Sequence, residues 1–190
     1  MAEDSEERGF TLMESVAVLG VVTLLLTLVI QVFMVSYSAY RKQSTRAEND
    51  AQAIMATRLI SEAARGADEV LATATVNGTE YSSSASELVL KLPSVNTDGN
   101  VIEGEYDYLA VYRDDGDDSR IYVDTEPNAG SYRPSGQKLL TSDNDWLIFR
   151  YDSPNVAEAS RVSVFLRNAK TARDTTVISE SWTSIFIRNR

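Results

Sequence analysis

Cysteine and histidine are both missing from the 190 residues. Without cysteine there is no disulfide and no thiolate metal site. Without histidine the commonest general base and the commonest transition-metal ligand are gone. No phosphate-cradling glycine loop, nucleophile triad or metal-ligand spacing takes their place, so an enzyme is not expected. Proline is scarce, with four residues in all and none before Pro93. Basic charge is short as well: 18 Lys and Arg stand against 28 Asp and Glu, a net of −10. Phosphate binding needs a basic footprint, so nucleic acid is not an expected partner. The least acidic stretch is the C-terminal one, where Arg161, Arg167, Lys170, Arg173, Arg188 and Arg190 face only Asp174 and Glu180.

What the chain does have is one long apolar run. From Val16 to Val35 only Thr23, Thr27 and Gln31 interrupt it, and no charge occurs between Glu14 and Arg41. At ~1.5 Å rise per residue, such a helix covers the ~30 Å hydrocarbon core of a bilayer. A single carboxylate, Glu14, stands at its N-terminal edge, with Gly9-Phe10 just before it. A carboxylate placed there costs a few kcal/mol unless it finds a partner. A plain anchor has no use for it.

The run Gly9-Phe10-Thr11-Leu12-Met13-Glu14 and the span behind it resemble the class III signal of type IV pilins and type II secretion pseudopilins. The likeness covers residues 8 to 35. It implies that a prepilin peptidase cuts after Gly9, that the new N-terminal Phe10 is N-methylated, and that Glu14 serves assembly. It further implies a bacterial inner-membrane protein crossing once, with its C-terminal domain periplasmic or extracellular before it enters a filament. The implied partners are other pilin or pseudopilin subunits, the peptidase and an inner-membrane assembly platform. Two features depart from the family pattern. The leader is acidic, with Glu3, Asp4, Glu6 and Glu7 against Arg8. The flanking charges also run against the positive-inside rule, since Arg41, Lys42 and Arg46 follow the span. Where many major pilins carry a proline, this chain has Gln31, so no proline kink is built in.

The helical pattern continues beyond the span. From Tyr37 to Arg65 there is neither Pro nor Gly, and Gly66 is a natural stop. One helix from Leu12 to Arg65 is expected; two helices broken near Ser36-Tyr37-Ser38 are the alternative. Ala47, Ala51, Ile54, Met55 and Leu59, with Ala63 at the edge, form a stripe expected to pack on a sheet. After Gly66 the period changes to two. Leu88, Leu90 and Leu92 alternate until Pro93, which is expected to end that strand. Residues 105–113 and 120–124 read as a hairpin, followed by strands over 146–151, 161–166 and 178–187. Residues 127–144 read as a long polar loop. The expected fold is α+β, a pilin-like long N-terminal helix packed on an antiparallel sheet. Its parts are a leader (1–9), a transmembrane or filament-core helix (10–36), an amphipathic extension (37–66) and a sheet domain (67–190).

Glu14 is the strongest candidate for function. The resemblance pairs it with the Phe10 amine of a neighbouring subunit, offsetting two desolvation costs at once. The alternative is a helix cap favoured by the macrodipole. The turn Asp114-Asp115-Gly116-Asp117-Asp118 offers oxygens that calcium takes, but aspartate and glycine also suit a solvated hairpin turn. Asn77-Gly78-Thr79 fits either a glycosylation acceptor or a loop. Tyr106, Tyr108, Tyr112 and Tyr122 read as a packed sheet face rather than a ligand platform. The ending Ile185-Phe186-Ile187-Arg188-Asn189-Arg190 resembles, more loosely, that of J-type minor pseudopilins. The expected function is a minor pilin or pseudopilin. The alternative is a pilin-like adhesin or a subunit that binds cargo or DNA for uptake.

Overall fold

The computed structural model describes residues 11–172 and 175–188, with the side chain of Ala172 excepted. Leu12–Gly66 form one helix, α1, of 55 residues, about 80 Å long at the standard rise. Ser36 and Ser38 stay helical, because serine weakens a helix interior by only a few tenths of a kcal/mol. The chain divides into two compact units, residues 1–44 and 45–190. Unit one is helical wherever it is described after Thr11, and none of its described residues is buried.

Unit two joins the end of α1 to ten strands: β1 Glu69–Val70, β2 Thr73–Val76, β3 Thr79–Ser82, β4 Leu88–Val95, β5 Val101–Arg113, β6 Ile121–Glu126, β7 Gly136–Thr141, β8 Asn144–Tyr151, β9 Arg161–Ala172 and β10 Thr175–Phe186. They form a five-stranded sheet in the order β1-β4-β5-β6-β7, a three-stranded sheet β10-β9-β8 and a hairpin β2-β3. Every pairing is antiparallel. The architecture is α+β with one long helix, as the pattern predicts.

The period-two alternation places the core. Leu88, Leu90 and Leu92 of β4 and Leu109 and Val111 of β5 join Phe149, Val162, Val164 and Leu166 in one buried cluster. From α1 that cluster takes Ala53, Ala56, Ile60 and Ala64. The residues between face the other way: Val89 and Ala110 pack with Val76 and Tyr81 under the β2–β3 hairpin, with Tyr108 and Tyr112 against them. Tyr81 and Tyr112 lie 4.8 Å apart between ring centroids, and Tyr112 and Tyr122 lie 6.1 Å apart. Tyr106 stands apart, with Lys91 Nζ 4.1 Å from its ring centre.

Three expectations need correction. The helix buries Asn49, Ala53, Ala56, Thr57, Ile60, Ser61 and Ala64, not the expected stripe. Alanines let the helix approach the sheet closely, and Asn49 Nδ2 donates to the carbonyls of Asn168 (3.3 Å) and Val177 (3.1 Å). Ile54 and Met55 are turned outward, 61% and 67% exposed. Secondly, β4 runs through Pro93 to Val95. Val89 and Lys91 use their carbonyls toward the β1 flank, from Leu71 N–H and Asp68 N–H. Two residues on, the missing N–H of Pro93 points to the same flank, where β1 has ended, so no ladder bond is lost.

Thirdly, the supposed loop 127–144 contains β7, and its first part is fastened to a buried carboxylate. Asp107, fully buried, accepts from Ser94 Oγ (2.7 Å), Asn128 N–H (2.8 Å) and Ser131 Oγ (2.7 Å), and pairs with Arg133. Burial alone would raise this carboxyl. The hydrogen bonds and the guanidinium outweigh it and hold the group below its ordinary value. The loop expected at Asn77-Gly78 is there, as the tight turn of a hairpin, with φ of +48° and +82° as a type I′ turn requires. Asn77 Nδ2 donates to Asp124 Oδ1 (2.6 Å) and the Thr125 carbonyl (3.0 Å), which ties the hairpin to β6.

Candidate assembly site

The first half of α1 has the length and composition to cross a membrane. Its best 18-residue window has a mean hydropathy of 2.7, and none of that window is buried inside the chain. The two hydroxyls within it are satisfied locally: Thr23 Oγ1 and Thr27 Oγ1 each donate to the carbonyl four residues back, at 2.8 Å. That back-bonding removes their cost in an apolar medium. At the far end Phe33 stacks on Tyr37, with ring centroids 6.4 Å apart, and the Arg41 guanidinium sits 5.9 Å from the Tyr37 ring.

Helix initiation explains the neighbourhood of Glu14. Thr11 stands just before the helix, and its Oγ1 accepts from the Glu14 N–H at 3.3 Å. Thr-Leu-Met-Glu fits the S/T-x-x-E start of a capping box. Only the hydroxyl half of that box forms, and the Glu14 carboxylate makes no hydrogen bond or ion pair among the described residues. Gln31 is likewise without a side-chain partner there. The span thus carries two long polar side chains that have no partner among the described residues. Gly9 and Phe10, the expected processing residues, lie outside the described residues, as do Asn189 and Arg190 of the C-terminal motif.

The acidic turn closes the β5–β6 hairpin and is laced internally. Asp114 Oδ1 accepts from Gly116 N–H (3.3 Å), and Asp117 Oδ1 accepts from Ser119 N–H (3.1 Å). Arg120 Nε lies 3.0 Å from Asp117 Oδ2. The Ser119 hydroxyl, the Ser119 N–H and Arg120 hold the Asp117 carboxyl below its ordinary value. Asp115 and Asp118 point to solvent. Among the described residues no three acidic side chains converge as a metal-binding group.

One feature goes beyond the strand patterns: the outer face of the three-stranded sheet. Register places Ile148, Phe165 and Trp182 in one row across β8, β9 and β10. Trp182 is 75% exposed and Phe186 72%. Trp146 meets Phe165 edge-on at 6.3 Å, beneath the Arg167 guanidinium at 5.0 Å. The sequence does carry a signal: Trp146 to Phe149 is apolar on both alternations, and so, apart from Ser163, is Val162 to Leu166. That is the mark of a strand covered on two faces.

Compared with known proteins, the chain matches no family model, no curated protein and no solved structure.

Proposed function

We propose that this chain is a pilin-like subunit, a minor pilin or a type II secretion pseudopilin, whose activity is assembly. Prepilin peptidase cuts after Gly9, and Phe10 becomes a methylated N-terminal amine. The first half of α1 is held in the bacterial inner membrane, with the strand domain on the outer side. On assembly it passes into a filament core, where packing against neighbouring helices replaces lipid. The observation that carries this reading is the Glu14 carboxylate, without a partner among the described residues, in the first turn of a helix whose apolar window is nowhere buried inside the chain. An N-terminal amine of the adjacent subunit is the group that completes it. Each charge alone carries a desolvation cost that only the other offsets, so losing one partner costs ~3–5 kcal/mol.

Glu14→Gln tests the reading because it keeps shape and hydrogen bonding and removes only the charge. The variant is expected in membranes at normal level, processed, and missing from sheared filaments probed beside its sister subunits. Wild-type amounts of Glu14→Gln in those filaments would reduce Glu14 to a helix cap.

A further inference from the structure

The three-stranded sheet has one face on the core and one that no described residue covers. The open face carries both tryptophans of the chain. Its central row is Ile148, Phe165 and Trp182, and the concavity around that row has a volume of about 480 Å³. An apolar row of this kind, rimmed by charge, marks a surface that another molecule covers.

The charges say which molecule. At one end of the face Arg167 is already engaged, its Nη2 lying 2.5 Å from Asp145 Oδ2. At the other end Arg150 and Arg161 are exposed, and neither makes an ion pair among the described residues. Two cations without an ion pair among the described residues, beside exposed tryptophan, are unusual on a chain of net charge −10. They call for a partner that is apolar and acidic together.

The chain itself carries that combination elsewhere. Asp115 and Asp118 project from the β5–β6 turn. The strand row next to that turn, one pair in from Arg113 and Ile121, is Tyr112, Tyr122 and Leu139. Leu139 at its edge is 45% exposed. Apolar with acid on one surface thus matches apolar with base on the other.

We propose that the aromatic face of β8–β10 is the docking surface for a second copy of this chain, which presents its acidic turn and the Tyr122–Leu139 row. Two different patches meet, so the contact is head-to-tail, the kind that a filament repeats. Face-to-face pairing is disfavoured because it sets Arg150 and Arg161 against themselves. The inference rests on the filament reading and adds to it which surfaces of the strand domains touch.

The absence of cysteine allows a clean test with the full chain in membranes. One tagged copy carries Ser184→Cys, beside Trp182 on the open face. The other carries Gly116→Cys, at the acidic turn, where a Cβ meets nothing closer than 3.9 Å. The pair is expected to cross-link when co-produced, while neither variant does so alone. Adding Arg150→Glu to the first copy is expected to cut the yield about tenfold, and adding Asp115→Arg to the second to restore it. Self-linking of Ser184→Cys, or its capture by a different polypeptide in place of the Gly116→Cys copy, would overturn the proposal. Leu25→Cys in the span is the separate control. If Leu25→Cys cross-links and the mixed pair does not, the docking inference fails and the filament reading stands. If neither cross-links, a second copy is not the neighbour and the docking inference fails, while the filament reading is decided by Glu14→Gln.

Discussion

The two stretches of α1 differ in a way that their hydrophobicity does not foretell. Between Leu12 and Ser44, the more apolar stretch, no residue is buried. Between Thr45 and Gly66 seven are, and they are alanine, serine, threonine, asparagine and one isoleucine. Burial inside this protein goes to the segment whose small side chains let a sheet come close. The strongly apolar segment is left for whatever lies outside the chain. A helix that its own domain covers and a helix that it does not are two different physical objects, though the backbone runs through both without a break.

Substitutions sharpen this contrast. The largest expected effect is at Ile60, which is fully buried against the sheet core. Ile60→Ala is expected to destabilise the strand domain by about 4 kcal/mol, the transfer term plus the cavity. Leu25→Ala in the span is expected to leave that domain's stability within about 0.5 kcal/mol. Denaturant unfolding of the detergent-solubilised chain, followed by tryptophan fluorescence, reads both. The fluorescence suits the purpose because Trp146 and Trp182 are both in the three-stranded sheet. A loss at Leu25 as large as at Ile60 would mean that the two stretches are not energetically separate.

Next in size is Asp107. Asp107→Ala strips the partner from Arg133 and the acceptor from Ser94, Ser131 and the Asn128 N–H. It is expected to cost about 3 kcal/mol. The folded carboxyl sits below its ordinary value. Its contribution is therefore complete above that ordinary value and is lost as pH falls through the lower, folded one. Asp107→Asn is expected to flatten this part of the acid limb in a pH series of unfolding midpoints. An unchanged acid limb would show that the carboxylate charge is not what fastens the 127–135 segment.

The smallest expected effect is at Met55, 67% exposed on the helix face turned from the sheet. Met55→Ala is expected to shift stability by less than about 0.5 kcal/mol. A loss above 2 kcal/mol in the same assay would restore the stripe that periodicity alone suggests.

That stripe shows where the sequence stops being legible. The helix itself, its end at Gly66 and most of the strands follow from absent prolines and from alternation that only one conformation satisfies. The choice of buried face does not. Ala47, Ala51, Ile54, Met55 and Leu59 outrank Asn49, Ala53, Ala56 and Ile60 in bulk apolarity. A reading by hydrophobicity therefore puts Asn49 outside, because only the fold supplies the two strand carbonyls that its amide needs. Asp107 escapes for the same reason. A carboxylate in a tyrosine-rich strand reads as solvent-facing until Arg133, 26 residues later, is seen to reach it. Pro93 is misread because the cost of a proline in a strand depends on whether a neighbour lies on that flank. The candidate site is legible to a different degree. Glu14 and the uncovered span stand out in the sequence, whereas the aromatic face is only hinted at by apolar runs, and the row of Ile148, Phe165 and Trp182 needs the register of β8, β9 and β10.

The most direct test of the pilin-like reading is the mass and sequence of the N-terminus of the membrane-extracted protein, taken from cells with an active prepilin peptidase. The account predicts that residues 1–9 are gone and that Phe10 stands first, carrying one methyl group on its amine. A chain that still begins at Met1 under those conditions would contradict it. The uncovered half of α1 would then be an anchor with a capped first turn.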